Sequence, residues 1–301
     1  MPHTQPTLAI NAPDGHAFEL IHVLDHNPRW RLLMVPAMGI SARHYIDFAR
    51  ALNAQGAEVF IHEWRGLGSS NWRASRQVDW GYRKLLDDLA ASIEPIQASD
   101  RASPTGPLVV AGHSLGSQLG LLIQALNPEA FAGAVCIAGG SPHYKAFPWP
   151  MGLSLRVLFA LMPALAQVVG HYPGQRLGFA KRESRSVMRD WANSGRTGRY
   201  RPKGVAVDLE AALRQLTSPL LGIRMADDWF VPPGSLQCLL NKCPNAPTQT
   251  ALIPSDKVGG RADHYRWMHQ PQGTAKVIGQ WVDETVKHHH NLNNTTCASK
   301  D

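Results

Sequence analysis

The stretch VVAGHSLGSQLG, residues 109–120, joins an apolar run to a segment with helical character. The run ends abruptly in GHSLG (112–116), which fits the pattern G-x-S-x-G. In that pattern a serine sits on a sharp turn between a strand and a helix, and the flanking glycines avoid clashes with neighbouring backbone. The first N–H groups of the helix point toward any negative charge that develops near the serine. Ser114 is therefore a candidate nucleophile, and the alternative is a plain strand-to-helix turn that contains a serine.

Outward from this turn, apolar runs of strand length alternate with segments of helical periodicity. The inner runs are apolar on both faces, which is typical of a mostly parallel sheet covered by helices on both sides. The segment TLAINAPDGHAFEL (7–20) predicts a hairpin that turns at Pro13-Asp14-Gly15. The sequence therefore predicts an α/β fold. The other predicted strands are 31–37, 57–64, 107–112, 131–140, 219–225 and 248–254, and the predicted helices are 43–56, 79–97, 115–126, 234–242 and 274–286.

The net charge of +7 is concentrated in one segment of the chain. Residues 142–205 carry eleven Lys and Arg against two acids, a balance of +9, whereas the rest of the chain balances at −2. This segment interrupts the alternation without a predicted strand, so we expect an insertion rather than a separate domain. The predicted domains are a core of residues 1–141 and 206–287, the basic helical insertion at 142–205, and a disordered polar tail at 288–301.

The start of the chain and its cysteines favour a cytoplasmic protein. Residues 1–16 lack the basic and apolar regions of a secretory signal. The four cysteines lie in dissimilar contexts and form no C-x-x-C pair, so we expect reduced thiols rather than a disulfide framework. The longest apolar stretch, residues 152–170, carries Arg156 and Pro163 and is expected to be a poor membrane-spanning segment.

Motifs for cofactors, metals and nucleic acid are missing from the sequence. It holds no P-loop, no G-x-G-x-x-G that opens a helix after a first strand, and no His/Cys/Asp cluster with metal-ligand spacing. The sequence therefore predicts no cofactor and no metal. Because the positive charge is local and no recognition motif accompanies it, nucleic acid is not an expected partner.

Four stretches resemble the α/β-hydrolase family, in the order usual for that family. They are VPAMG (35–39), EWRGLGSS (63–70), GHSLG (112–116) and DDWFVP (227–232), and a late histidine follows them. The resemblance covers about residues 8–287. Within the family, the sequence most resembles a bacterial subgroup of predicted α/β-hydrolases with few assigned substrates. It implies an α/β-hydrolase fold in which the basic insertion is a helical lid.

The resemblance also implies the partners of the serine. An active serine needs a base, and the base needs an orienting acid. The turn DDWFVP resembles the family's acid turn, which implies Asp228 as the acid and Asp227 as its neighbour. Because the histidine should follow the last strand, His264 is the implied base, and His269 is the other candidate nearby.

The implied oxyanion hole consists of two backbone N–H groups. One belongs to Leu115, the residue after the nucleophile, and the other maps to Met38 in the loop after the first inner strand. Relatives with His-Gly in that loop use the residue that follows it, whereas here Pro36 and Ala37 stand in its place. Proline has no N–H to donate, but Ala37 stays a possible donor.

Two further residues lie in or beside the serine turn. His113 is inside it and is expected to pack and hydrogen-bond behind Ser114 rather than serve it. Ser117 stands where relatives often carry glycine and is expected to face the helix packing.

Together these residues predict a serine hydrolase that cleaves a carboxylic ester through an acyl-enzyme. A thioesterase or lipase-like activity, and a non-catalytic ligand-binding member of the fold, are the alternatives. The expected partner is a small acyl compound. Three roles for the basic insertion stay open: binding an anionic or amphiphilic substrate, peripheral contact with an anionic membrane, or a solvated outer face. The sequence does not specify the substrate-binding residues, the acyl-chain length or the oligomeric state.

Overall fold

The computed structural model describes residues 5–25, 27–99 and 106–286, and the predicted tail at 288–301 lies outside them. The predicted elements form at the expected places, with bounds shifted by a few residues. The strands are β1 Thr7–Asn11, β2 Ala17–Val23, β3 Trp30–Val35, β4 Ala57–Ile61, β5 Leu108–His113, β6 Gly133–Ile137, β7 Tyr172–Pro173, β8 Arg182–Glu183, β9 Leu220–Met225 and β10 Thr248–Ile253. The helices are α1 Ile46–Asn53, α2 Tyr82–Ala98, α3 Leu115–Leu126, α4 Met151–Val169, α5 Gly174–Leu177, α6 Arg185–Thr197, α7 Leu209–Gln215, α8 Pro233–Leu240 and α9 Gln272–Trp281.

Within the described residues, eight strands form the main sheet, in the order β1-β2-β4-β3-β5-β6-β9-β10. The hairpin strands β1 and β2 pair antiparallel, and β2 pairs antiparallel with β4. Every other neighbouring pair in this sheet is parallel. Because the carboxyl ends of parallel strands meet at one edge, the loops after β3, β5, β9 and β10 are brought together there.

Helices cover both faces of the sheet, because successive strand side chains point to opposite sides. In β3, Leu33 and Val35 join the core beneath α2, α3 and α8, whereas Leu32 and Met34 join the core beneath α1 and α9. All six residues of β3 are buried, as are all six of β5. The predicted mostly parallel sheet with helices on both faces is confirmed.

Residues 142–205, called the insertion from here on, hold α4, α5 and α6 between β6 and the return to the core. We expected no strand in this segment, and that expectation is wrong in one detail. The two-residue strands β7 and β8 pair antiparallel and form a small ladder separate from the main sheet. A ladder so short lies below the strand lengths that residue patterns can predict.

Helix α6 is attached to the core by carboxylates. Asp190 Oδ2 accepts a hydrogen bond of 3.0 Å from the backbone N–H of Tyr82, at the start of α2, where helix N–H groups lack internal partners. Asp79, in the loop before α2, accepts hydrogen bonds from the hydroxyls of Ser184 at 2.6 Å and Ser186 at 2.7 Å. These bonds fix the inner part of the insertion over the sheet edge.

Helix α4 packs on α6 with only one side. Its buried residues are Gly152, Phe159, Met162 and Ala166. Among the described helices, α4 is the one long and apolar enough to cross a membrane by length and composition, with a mean hydropathy of 1.7. It meets that criterion despite Arg156 and Pro163, and 22% of its apolar window is buried.

Candidate active site

The turn from β5 into α3 holds Ser114 in a rarely populated backbone conformation, with φ 55° and ψ −114°. The glycines around it are required by close approach. A Cβ on Gly112 would lie 2.1 Å from the carbonyl of Gly116, and one on Gly116 would lie 2.0 Å from the carbonyl oxygen of Val35. Any side chain at either position would push the turn away from the sheet. The same close approach of the backbone therefore explains both the flanking glycines and the strained conformation of Ser114.

Ser114, His264 and Asp228 form a continuous hydrogen-bonded row. The Ser114 Oγ lies 3.0 Å from His264 Nε2, and His264 Nδ1 lies 2.8 Å from Asp228 Oδ2. The side chains of His264 and Asp228 are buried. A neutral imidazole can therefore donate from Nδ1 to the carboxylate and accept the serine proton at Nε2. The structure brings together the three residues named from the sequence.

The two adjacent aspartates after β9 point in different directions. Asp228 Oδ1 accepts hydrogen bonds from the backbone N–H groups of Phe230 at 2.8 Å and Val231 at 3.3 Å, which leaves Oδ2 for the histidine. Asp227 Oδ2 instead accepts from the hydroxyl of Ser255 at 2.5 Å. That bond lowers the pKa of Asp227. Asp227 therefore braces the loop after β10 and does not contact His264.

The loop after β10 presents His264 and leaves the other candidate histidine outside. The indole N–H of Trp267 donates to the carbonyl of His264 at 3.1 Å. The ring of Phe230 lies against the imidazole of His264, with centroids 5.0 Å apart. His269 follows on an exposed turn. These contacts orient His264 and exclude water from most of its ring.

His113 lies behind the serine turn, fully buried, as its position in the sequence suggests. Its Nδ1 is 2.8 Å from the hydroxyl of Tyr45, and burial holds the pKa of His113 well below its ordinary value. Burial therefore favours the neutral form of this imidazole. Ser117 also faces inward, and its hydroxyl donates to the carbonyl of Gly112 at 2.6 Å.

Tyr45 also limits which backbone N–H groups are available to bind an oxyanion. The Ala37 N–H donates to the Tyr45 hydroxyl at 2.9 Å, so this candidate donor is occupied. Met38 and Leu115 both line the cavity beside Ser114. Across the described residues, their N–H groups have no hydrogen-bond acceptor. Ala37 and Met38 are the two candidate donors in the loop after β3, and the N–H of Met38 is therefore the one available for an oxyanion.

The EWRGLGSS turn supports the loop that carries Met38. The buried carboxylate of Glu63 accepts from the hydroxyl of Ser41 at 2.6 Å and from the N–H of Ala42 at 3.2 Å. The indole N–H of Trp64 donates to the carbonyl of Pro36 at 3.1 Å. Burial raises the pKa of Glu63. The sequence predicted a strand at 57–64 and a family resemblance for this stretch, but its role in fixing the loop is visible only in three dimensions.

A cavity of about 320 Å³ opens beside Ser114 and His264. Its wall is mostly apolar and aromatic. The core contributes Ala37, Met38, Leu115, Gln118, Trp229, Phe230, Val231 and Tyr265, among others, and the insertion contributes Pro142, Phe147, Met151, Leu155, Leu158, Phe159, Gly178, Phe179 and Trp191. No residue-level pattern in the sequence identified the insertion's part of this wall.

The cavity wall contains no Lys, Arg, Asp or Glu within the described chain. The basic side chains of the insertion therefore lie outside this cavity, and a charged group bound in it would have no opposite charge there. Over residues 5–25, 27–99 and 106–286, no group of three or more His, Cys, Asp or Glu is placed to hold a metal ion. The chemistry available here is that of the serine, the histidine and the backbone N–H groups.

Comparison with solved structures shows a shared fold. The esterase domain of a Rhodothermus marinus protein superposes with a TM-score of 0.61 at 19% identity, covering 93% of this chain and 98% of that one. A thermophilic esterase from Thermogutta terrifontis superposes with a TM-score of 0.62 at 15% identity, covering 94% of this chain and 99% of that one. At these identities the likeness is one of fold, and it confirms the α/β-hydrolase architecture expected from the sequence.

Sequence comparison gives the family. Monoglyceride lipase of Mus musculus is 26% identical over 151 residues, which are 50% of this chain and 47% of the lipase, so the chain spans about half the length of the curated relative it matches. Residues 26–255 match the model of the Hydrolase_4 family, described as serine aminopeptidase, S33. The resemblance drawn from the four sequence stretches is thereby confirmed. The chain belongs to this family and is an α/β-hydrolase with esterase- and lipase-like relatives.

Proposed function

We propose that this protein is a serine hydrolase that cleaves carboxylic esters with an apolar acyl group through an acyl-enzyme intermediate. The observation that carries the proposal is the row Ser114–His264–Asp228 at 3.0 and 2.8 Å, opening on an uncharged cavity of about 320 Å³. An assembled row of this kind also speaks against a non-catalytic ligand-binding protein, which would need no base beside its serine.

Acylation begins when Ser114 Oγ attacks the ester carbonyl carbon. His264 Nε2 accepts the hydroxyl proton, and Asp228 stabilises the resulting imidazolium through its bond to Nδ1. The carbonyl oxygen becomes an oxyanion that accepts from the N–H groups of Leu115 and Met38. His264 then gives its proton to the departing alcohol oxygen, and the carbon–oxygen bond to the alcohol breaks.

Deacylation repeats these steps with water. His264 removes a proton from the water molecule as its oxygen attacks the acyl carbon, and the same two N–H groups hold the second oxyanion. Collapse of this intermediate returns the proton to Ser114 Oγ and releases the carboxylic acid. No metal or cofactor is required for either half of the reaction.

The cavity favours an uncharged acyl group over the amino end of a peptide. A free α-ammonium bound in an apolar cavity needs a carboxylate partner, and no Asp or Glu lines the cavity in the described chain. The similarity to monoglyceride lipase supports a lipase-like substrate as the second candidate. A cytoplasmic location stays our expectation from the sequence.

Hydrolysis of p-nitrophenyl esters of increasing chain length tests the proposal, with amino-acid p-nitroanilides in parallel. We expect ester turnover that Ser114→Ala lowers by about 10³-fold or more. Ser154→Ala, which changes an exposed serine on α4, is the matched control and should keep the wild-type rate. Equal turnover by wild type and Ser114→Ala, or p-nitroanilide cleavage in preference to ester cleavage, would contradict it.

A further inference from the structure

The outward side of α4 carries a row of exposed apolar side chains. Leu153, Val157, Leu161 and Leu165 repeat every four residues and are 54%, 52%, 62% and 38% exposed, and Val168 continues the row at 73%. These five residues are called the outer stripe. Isolated exposed leucines are ordinary, but a continuous stripe of this length marks a surface that meets another apolar phase.

Positively charged side chains lie near both ends of the outer stripe. Residues 130–182 contain no Asp or Glu. At the first half of α4, Lys145 Nζ and Arg156 Cζ lie 6.0 and 5.7 Å from the ring centre of Tyr144. At its far end the guanidinium of Arg76 donates to the carbonyl of Val168 at 2.6 Å, and Arg176 follows on α5.

We infer that the outer stripe is a docking surface for an anionic lipid bilayer, on which α4 lies flat. An apolar helix face with Lys and Arg beside it binds at the interface, where the acyl region takes the apolar residues and anionic headgroups pair with the cations. The side chain of Trp149, just before α4, is 83% exposed and suits the headgroup level.

Two other uses of this helix fit the structure less well. A membrane span would require apolar residues free all round, but Phe159, Met162 and Ala166 are buried inside the protein. A two-fold dimer on this face would set one insertion of charge +9 against another, with no acid in residues 130–182 to offset the repulsion. The same positive charge of the insertion would instead attract it to an anionic surface.

Leu158 lies on both the outer surface of α4 and the cavity wall. Its side chain is 40% exposed. The apolar surface therefore runs from the outside of α4 to the wall beside Ser114. Delivery of a lipid ester along this path depends on the function proposed above, whereas docking itself does not.

Co-sedimentation with vesicles tests the docking. The full chain is mixed with vesicles of phosphatidylcholine alone or with added phosphatidylglycerol, at low and high salt. We expect partition into the anionic vesicles at least ~10-fold above that into the neutral ones at low salt, and a loss of that difference at high salt. Leu161→Asp should lower the partition by about 10-fold or more.

Leu24→Asp is the matched control, because Leu24 is 53% exposed and lies directly after β2, outside the insertion. It should bind vesicles as the wild type does. Ser114→Ala should also bind fully, which separates failure of docking from failure of the proposed chemistry. Circular dichroism melting of each variant establishes that it is folded.

Three results would overturn the inference. They are sedimentation that is the same with and without vesicles, binding that Leu161→Asp leaves unchanged, and a dimer in sedimentation velocity that Leu161→Asp dissociates in a chain that does not bind vesicles. The last result would assign the outer stripe to a second copy of the chain.

Discussion

Helices α3 and α4 are both strongly apolar, yet they occupy opposite environments. Ten of the twelve residues of α3 are buried, against four of the nineteen of α4. Helix α3 lies between the sheet and its neighbouring helices, whereas α4 rests on α6 with one side and meets solvent with the other. Apolar composition therefore does not distinguish a core helix from a surface helix in this protein. The two helices are distinguished by their positions in the fold.

The two helices also contribute differently to the site. Helix α3 begins at the strained Ser114 turn and permits no change in backbone position there. Helix α4 supplies apolar side chains to the cavity wall and lies outside the hydrogen-bonded row. We therefore expect substitutions on core elements to abolish chemistry, and substitutions on α4 to change stability and surface properties by smaller amounts.

The largest effect is expected from Asp228→Asn. An amide cannot hold His264 in the tautomer that accepts the serine proton, so kcat for ester hydrolysis should fall by roughly 10³–10⁴. Steady-state kinetics measures this loss. Asp227→Asn is the matched control, because Asp227 bonds to Ser255 rather than to His264, and its loss should stay below about 10-fold. Equal losses in the two variants would refute the assignment.

A smaller but still large effect is expected from Gly116→Ala. Its Cβ would lie 2.0 Å from the carbonyl oxygen of Val35, so the free energy of unfolding should fall by more than about 3 kcal/mol. Gly120→Ala, one turn further along α3, would place its Cβ 3.4 Å from a methyl group of Val110. There alanine should gain up to about 1 kcal/mol from helix propensity. Urea denaturation of both variants distinguishes the two positions, and a stable Gly116→Ala protein would contradict the geometry.

On α4, neighbouring residues should behave oppositely. Met162 is 3% exposed, so Met162→Ala should lower the free energy of unfolding by about 2–4 kcal/mol. Leu161→Ala, on the outer stripe, should change it by less than about 0.5 kcal/mol. Urea denaturation of both variants measures these changes in the free energy of unfolding. Similar losses at both positions would mean that α4 is covered on both sides, and the contrast with α3 would disappear.

The smallest effect concerns pH and Glu183, in the ladder of the insertion. Burial raises the pKa of Glu183 from its ordinary value of 4.5 to about 7. The protonated form is the one that the folded state favours, so its contribution to stability is complete below pH ~4.5 and is lost as the pH rises through ~7. Glu183→Gln should therefore stabilise the protein at pH 8 by about 1–3 kcal/mol and have little effect at pH 4. Thermal melts across this range measure it.

Glu19→Gln, at an exposed position on β2, is the control for that experiment and should leave the pH profile unchanged. A Glu183→Gln profile that parallels the wild type would show that Glu183 ionises without penalty.

The sequence predicted the parts of the site that depend on local patterns. Ser114 stands in a five-residue turn signature, and Asp228 and His264 follow it in the order that the family resemblance implies. The same resemblance implies Leu115 and Met38 as the oxyanion donors. These residues come together because parallel strands place the ends of β3, β5, β9 and β10 at one edge of the sheet.

Sequence reasoning could not predict the contacts that depend on long-range packing. The hydroxyl of Tyr45, which occupies the Ala37 N–H, comes from another element and carries no pattern of its own. Trp191 and Phe159 enter the cavity wall only because α4 and α6 fold over the sheet edge. The exposure of α4 was likewise hidden, because its composition equally suits a buried helix.

A fluorophosphonate, which forms a covalent bond only with an activated serine, tests whether Ser114 is the nucleophile. Intact-protein mass is measured after incubation of wild type, Ser114→Ala and Ser154→Ala with the reagent. One covalent adduct on wild type and on Ser154→Ala, and none on Ser114→Ala, is the predicted result. An unmodified wild-type protein, or an adduct that persists in Ser114→Ala, would contradict the account.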